Sequence, residues 1–170
     1  MKKYILTIDQ GTTSTRAILF DHKANTIGIY QMEFTQICPK SGYVEHNADE
    51  IYQTVLECIK NVIINASIEP EEIDSIAITN QRETTVAFGF DGHPLANAIC
   101  WQSRQSQKIC DDLIARGYED MIYQKTGLHI NPYFSASKIR YLIDNNQNIK
   151  DLYDAGTVSY THLRAHETGR

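Results

Sequence analysis

Asp9-Gln10-Gly11-Thr12-Thr13-Ser14-Thr15-Arg16 stands between two short apolar runs, Tyr4 to Ile8 and Ala17 to Phe20, and this arrangement predicts the turn of a β-hairpin. Its residue types suit a phosphate. Gly11 lets the backbone bend and come close to a ligand, the hydroxyls of Thr12, Thr13, Ser14 and Thr15 join the backbone N–H groups as donors, and Arg16 adds a permanent positive charge. Asp9 can hold a metal ion directly or through water. The Walker pattern G-x-x-x-x-G-K-[ST] is absent and no G-x-G-x-x-G follows a strand, so the standard P-loop and dinucleotide readings fail. What remains is a hairpin phosphate loop or an ordinary Thr/Ser-rich turn, and composition does not separate the two.

Outward from the hairpin, Tyr4 to Asp9, Thr15 to Asp21 and Thr26 to Phe34 read as a three-stranded meander, with a polar turn at His22-Lys23-Ala24-Asn25. Asn47 then opens an Asn-x-x-Glu pattern with Glu50, a plausible helix cap. Ile51, Val55, Ile59, Val62 and Ile63 fall on one helical stripe behind it. Ile73 to Thr79 is a continuous apolar stretch, which predicts a central strand ending in the polar group Asn80-Gln81-Arg82-Glu83-Thr84. A second hairpin is expected from Thr85 to Phe90 and Leu95 to Trp101 across Asp91-Gly92-His93-Pro94. Helices are expected at about Ser103 to Arg116, Glu119 to Thr126 and Ser135 to Asn145. Meander, helix, strand in that order is mixed α/β rather than Rossmann alternation. From about Ser159 onward the sequence extends no strand or helix periodicity.

Composition limits the partners. The chain has 170 residues, 42% of them hydrophobic, so it can bury a core, and length alone suggests one domain or part of a larger one. Its net charge of −5 with no Lys/Arg cluster argues against capture of nucleic acid or anionic membrane. No export signal precedes the first strand and no apolar run is long enough for a membrane helix, so a soluble, cytoplasmic protein is expected. Cys38, Cys58, Cys100 and Cys110 lack both metal-ligand spacing and a disulfide framework, and read as reduced, mostly buried thiols.

A second constellation gathers Arg82 and Glu83 at the end of one strand, Trp101 at the end of another, and Tyr133 in an Asn131-Pro132-Tyr133-Phe134 turn. Such a set suits a polyol: a carboxylate accepts bonds from hydroxyls, a guanidinium donates to their oxygens, and aromatic faces cover the carbon chain. A surface ion pair beside two core aromatics would give the same spacing. His162 and His166 stand at i, i+4 but lack a third ligand and a helical stripe, so a metal site is not expected there.

Taken together, Asp9 to Arg16, Gly42-Tyr-Val-Glu-His46, Ile78-Thr-Asn-Gln-Arg-Glu-Thr84, Trp101-Gln102 and Pro132-Tyr-Phe-Ser135 closely resemble the N-terminal part of the glycerol kinases. These belong to the FGGY carbohydrate kinases, which share an actin-like, ribonuclease H-like ATPase fold. The resemblance runs in order from residue 1 to about 157. It implies the incomplete N-terminal domain of a two-domain kinase that uses ATP and Mg2+ to phosphorylate glycerol to sn-glycerol 3-phosphate, releasing ADP. It assigns Thr12, Thr13, Ser14 and Arg16 to the nucleotide phosphates and the transferred phosphoryl group, with Asp9 near the magnesium. It assigns Arg82, Glu83, Trp101 and Tyr133 to glycerol.

Family members are much longer, and the resemblance implies that the carboxylate serving as catalytic base and most of the adenine pocket come from sequence this chain lacks. The chain is therefore read as a truncated gene product, inactive alone. Residues 158–170 match nothing in the family and read as a sequencing or assembly artefact. Allosteric control, control by phosphorylation and a homo-oligomeric full-length form are left open. Two rivals stand beside this reading: an FGGY kinase acting on a pentulose or gluconate, and a non-enzymatic actin-like nucleotide-binding module. Arg82-Glu83-Thr84 argues against the first, and the polyol constellation against the second.

Overall fold

A computed structural model describes residues 3–163. Its contacts divide them into two units, the first comprising residues up to 36 and 48–82, the second residues 37–47 and 83–163.

In the first unit, β1 (Tyr4–Gln10), β2 (Ser14–Asp21) and β3 (Thr26–Glu33) form the expected antiparallel meander, and β5 (Ile73–Asn80) lies parallel to β1, giving the order β3-β2-β1-β5. The parallel pair needs a crossover, and α1 (Ala48–Ala66) supplies it. Period-two alternation sends Leu6, Ala17 and Leu19 to one face, where Cys58, Val62 and Ile68 close a core over them. A buried polar contact ties the hairpin to this helix: the hydroxyls of Thr15 and Thr54 lie 2.8 Å apart, and Thr54 Oγ1 donates to Ile51 O at 2.7 Å.

The expectation of a central, buried strand at Ile73 to Thr79 is corrected here. β5 is an edge strand of the described sheet, with Ile76 and Ile78 exposed by 59% and 64%. Each is paired with a buried β1 residue, Leu6 and Ile8 respectively, but α1 packs mainly over β2 and β3 and leaves the β5 side of that face uncovered. A continuous apolar run reports what a strand is suited to sit against, not whether the neighbour is there. An apolar exposed edge is a template for self-association. Ile78→Lys is therefore expected to lower self-association of the 170-residue chain in sedimentation velocity with its far-UV circular dichroism unchanged. Identical self-association in the variant would place the sticky surface elsewhere.

In the second unit, β4 (Glu45–His46), β7 (Ala98–Ile99), β6 (Thr84–Gly89) and β8 (Val158–Leu163) form a second sheet in that order. The second hairpin is present in outline: Leu95 N donates to Ala87 O and Gly89 N to His93 O, while regular pairing shrinks to the two residues of β7. The helices are α2 (Gln107–Ala115), α3 (Glu119–Thr126), α4 (Ser135–Asn145) and α5 (Gln147–Asp154). α3 and α4 match their expected limits. α2 begins four residues later than expected, and α5 was not expected at all. Ala87, Ile99, Leu142, Ile143 and Ile149 make this unit's core.

The stretch after Ser159 was expected to carry no regular structure, yet Val158–Leu163 pairs antiparallel with β6 from Gly89 to Thr84. Backbone N–H and C=O groups supply that ladder, so it needs no side-chain periodicity. His166 lies outside the described residues. Among them, no cluster of three or more His, Cys, Asp or Glu residues could hold a metal ion, and no helix is long and apolar enough to cross a membrane. All four cysteines are free, with Cys38 exposed and the other three buried.

Candidate functional site

The hairpin turn of the first unit closes on a bond from Gly11 N to Ser14 O of 2.9 Å. A side chain at residue 11 would set its Cβ 3.1 Å from that same oxygen, so the turn is tight enough to favour glycine. Three glutamines hold the turn from outside. Gln10, buried, donates from Nε2 to Gly11 O at 2.7 Å, and Gln81 N donates to Gln10 O at 2.7 Å, fastening the hairpin to the end of β5. Gln36 Nε2 donates to Thr12 O at 3.1 Å. Thr13 is exposed and Ser14 half-buried at the tip.

Arg16 lies directly across the β1–β2 ladder from Asp9, with Nη1 3.9 Å from Asp9 Oδ2, and the two side chains are 40% and 46% exposed. At that distance and exposure the pair stabilises the fold little, and both groups stay accessible to a ligand. Gln31 on β3, opposite Arg16 in register, accepts from Arg16 Nε at 3.0 Å and donates to Ser14 Oγ at 3.0 Å. One amide thus orients both the cation and a hydroxyl of the turn. Sequence reading passed over Gln31, although a meander with its turns at 11–13 and 22–25 already places it beside Arg16.

In the second unit the structure brings Glu83, Trp101 and Tyr133 onto neighbouring elements. Glu83 has φ of +59°, a left-handed conformation that costs a non-glycine residue on the order of 1 kcal/mol. Its Oε2 accepts from Ser135 N at 3.1 Å and from Ser135 Oγ at 2.8 Å. That carboxylate does for α4 what its own N-cap residue Phe134 cannot, satisfying an orphan N–H at the positive end of the helix. Both bonds fall on Oε2, which leaves Oε1 for another donor.

Trp101 follows β7 and is held by its backbone, its N–H donating to Thr84 Oγ1 at 3.2 Å. Its ring meets that of Tyr133 edge-on, centroids 5.9 Å apart at 68°. The Gly42 to His46 segment is laced to the chain on either side of Trp101: Cys100 N donates to Val44 O at 3.0 Å, Arg104 N to Gly42 O at 2.8 Å, and Val44 N to Ser103 Oγ at 3.1 Å. Burial pushes the Cys100 thiol up, so this neighbour of Trp101 stays protonated at neutral pH and is not a nucleophile. Arg82, the remaining residue of the constellation, ends the first unit with an exposed side chain. Glu83 is engaged by Ser135, a partner sequence reading did not foresee.

The first unit thus holds a cation oriented beside the turn hydroxyls, and the second a carboxylate at the start of α4 and two aromatic rings in edge contact. The N-terminal domain of the FGGY family of carbohydrate kinases matches residues 4–169. A glycerol kinase of Enterococcus casseliflavus is 51% identical over 160 residues, and one of Oceanobacillus iheyensis 50% over 160; each match takes in 94% of this chain and 32% of the relative. The crystal structure of Plasmodium falciparum glycerol kinase with ADP superposes with a TM-score of 0.86 at 34% identity, covering 94% of this chain and 32% of that one. Gluconate kinase from Lactobacillus acidophilus follows at a TM-score of 0.80 and 26% identity, over 89% and 30%. The chain spans about a third of the length of the relatives it matches.

Proposed function

This chain belongs to the FGGY carbohydrate kinases, and from that premise we propose that the protein whose N-terminal part it forms transfers the terminal phosphoryl group of ATP to glycerol. The observation that carries the proposal is the Glu83, Trp101 and Tyr133 arrangement, found in a chain about half identical to glycerol kinases. A free carboxylate oxygen for a hydroxyl and an aromatic wall for three carbons are what glycerol recognition requires. Trp101 and Tyr133 cover the carbon chain, while Glu83 and Arg82 take its hydroxyls.

Thr12, Thr13, Ser14 and Arg16 engage the nucleotide phosphates and the transferred group. Phosphoryl transfer rests on positioning and on neutralising charge, and these residues supply both. A single accessible carboxylate fits magnesium, which keeps several waters and takes one or two carboxylates together with substrate phosphates; Asp9 would hold it. The ADP carried by the Plasmodium relative supports nucleotide use by the same architecture.

The test is a coupled assay of ADP release by a full-length protein carrying this sequence, with glycerol, gluconate and xylulose as alternative acceptors. Glycerol-dependent release well above the other two is expected, and preference for either sugar substrate would move the chain to another branch of the family. The 170-residue chain run alone beside it is expected to release no ADP. Glycerol-dependent turnover by that chain would show that it contains a complete site. Residues 158–170 as a foreign tail is a separate proposal, checked by resequencing the gene across codon 158.

A further inference from the structure

Lys138 is the largest fully buried side chain among the described residues, with 0% of its surface exposed, and it sits in the first turn of α4. Both placements are unfavourable to a cation. Burial strips its hydration, and the N-terminal end of a helix carries partial positive charge. Helical side chains lean back toward the N-terminus, so Lys138 reaches into the turn that precedes α4. There its Nζ donates to Pro132 O at 2.7 Å and to Tyr133 O, and it lies 5.9 Å from the centre of the Tyr133 ring.

We propose that Lys138 is a positioning residue: by binding the two successive carbonyls of Pro132 and Tyr133 it fixes the turn that sets the Tyr133 ring against Trp101. The inference rests on the reading of those two rings as the wall for the substrate's carbons. Other contacts shape the same turn without reaching the carbonyls of Pro132 and Tyr133: Phe134 N donates to Asn131 O at 3.2 Å and Ser137 Oγ to Phe134 O at 3.2 Å. Asn131 Oδ1 accepts from Tyr133 N at 2.8 Å, and Glu83 holds Ser135 beyond it. Lys138 is the side chain that draws the Pro132 and Tyr133 carbonyls inward. The groups around its ammonium are Glu83, the Cys100 thiol just after β7, the Cys110 thiol of α2 and the Tyr133 ring. Burial lowers its pKa to about 8 against the opposing pull of Glu83 and the two thiols, so the clamp is charged at pH 7 and loses its charge in mild alkali. A neutral amine still donates, but without the charge that strengthens each bond.

Trp101 is the chain's one tryptophan, so acrylamide quenching of its fluorescence reads how well Tyr133 covers it. In the 170-residue chain, Lys138→Met keeps the buried stem and removes the donors. Its quenching constant is expected to rise about twofold, to the level of Tyr133→Ala, with the double variant rising no further. In the wild type, quenching should increase between pH 7 and 9 with a midpoint of about 8, while Tyr133→Ala stays flat. Burial raises the Cys100 and Cys110 thiols above their ordinary range, which keeps them out of that window.

Wild-type quenching in a folded Lys138→Met, or additive effects of the two substitutions, would each overturn the proposal. Should Lys138→Met fail to fold, Lys138→Leu takes its place and the same two outcomes decide. The measurement contains no substrate, so its outcome is independent of whether glycerol is what these rings receive.

Discussion

Replacing Arg16 with alanine in a full-length protein carrying this sequence is expected to lower turnover on the order of 100-fold while changing the glycerol concentration for half-saturation less than threefold. The expectation follows from position. Arg16 is held by Gln31 at 3.0 Å and faces Asp9 at 3.9 Å in the same unit as the turn hydroxyls, while Glu83, Trp101 and Tyr133 belong to the other unit. A cation fixed before the reaction begins does not have to be reoriented as charge develops on the transferring group, which is why its loss should fall on the rate. Steady-state kinetics with glycerol and ATP varied separately is the check. Unchanged turnover would reduce Arg16 to an exposed cross-strand partner of Asp9. Gln31→Leu should reproduce part of the defect, because it frees the guanidinium without removing it.

What could be read in advance was whatever depends on local periodicity. The meander, α1, α3 and α4 announce themselves through apolar spacing, and the hairpin through a glycine among hydroxyls. α5 stayed hidden because Gln147–Asp154 is short and polar, with Ile149 as its one buried residue; Asn146, whose side chain accepts from Ile149 N at 3.1 Å, was the overlooked start signal. The candidate site was legible as residue types and not as roles. Nothing in Arg82-Glu83 foretells that Glu83 takes a left-handed backbone and caps a helix fifty residues later. Lys138 lies in an amphipathic segment where a lysine reads as solvent-facing, and only tertiary packing reveals that it is sealed in. The exposure of Ile76 and Ile78 is likewise a tertiary fact, invisible to a pattern that records only suitability for burial.

Glu83→Ala tests the polyol group most severely, because the carboxylate holds Ser135 and, in the proposed function, also binds glycerol. In a full-length protein the half-saturating glycerol concentration is expected to rise tenfold or more, since under the proposed function a substrate hydroxyl would lose its acceptor at a cost on the order of 1–3 kcal/mol. The same substitution leaves Ser135 N and Oγ without their partner at the start of α4, so a loss of thermal stability should accompany it. Glu83→Gln separates the two tasks. Its amide oxygen can still accept from Ser135 while the negative charge is gone, so stability should return towards wild type and glycerol affinity should recover only in part. Glu83→Gly adds a further control, because glycine takes φ of +59° without strain and offsets part of the lost bonds through the backbone. Isothermal titration with glycerol, paired with thermal melts of all three variants, reads both effects. If affinity follows stability across the series, Glu83 acts on glycerol only by holding α4. If glycerol saturation is unchanged throughout, the carboxylate belongs to the helix alone and the polyol reading must rest on Arg82, Trp101 and Tyr133.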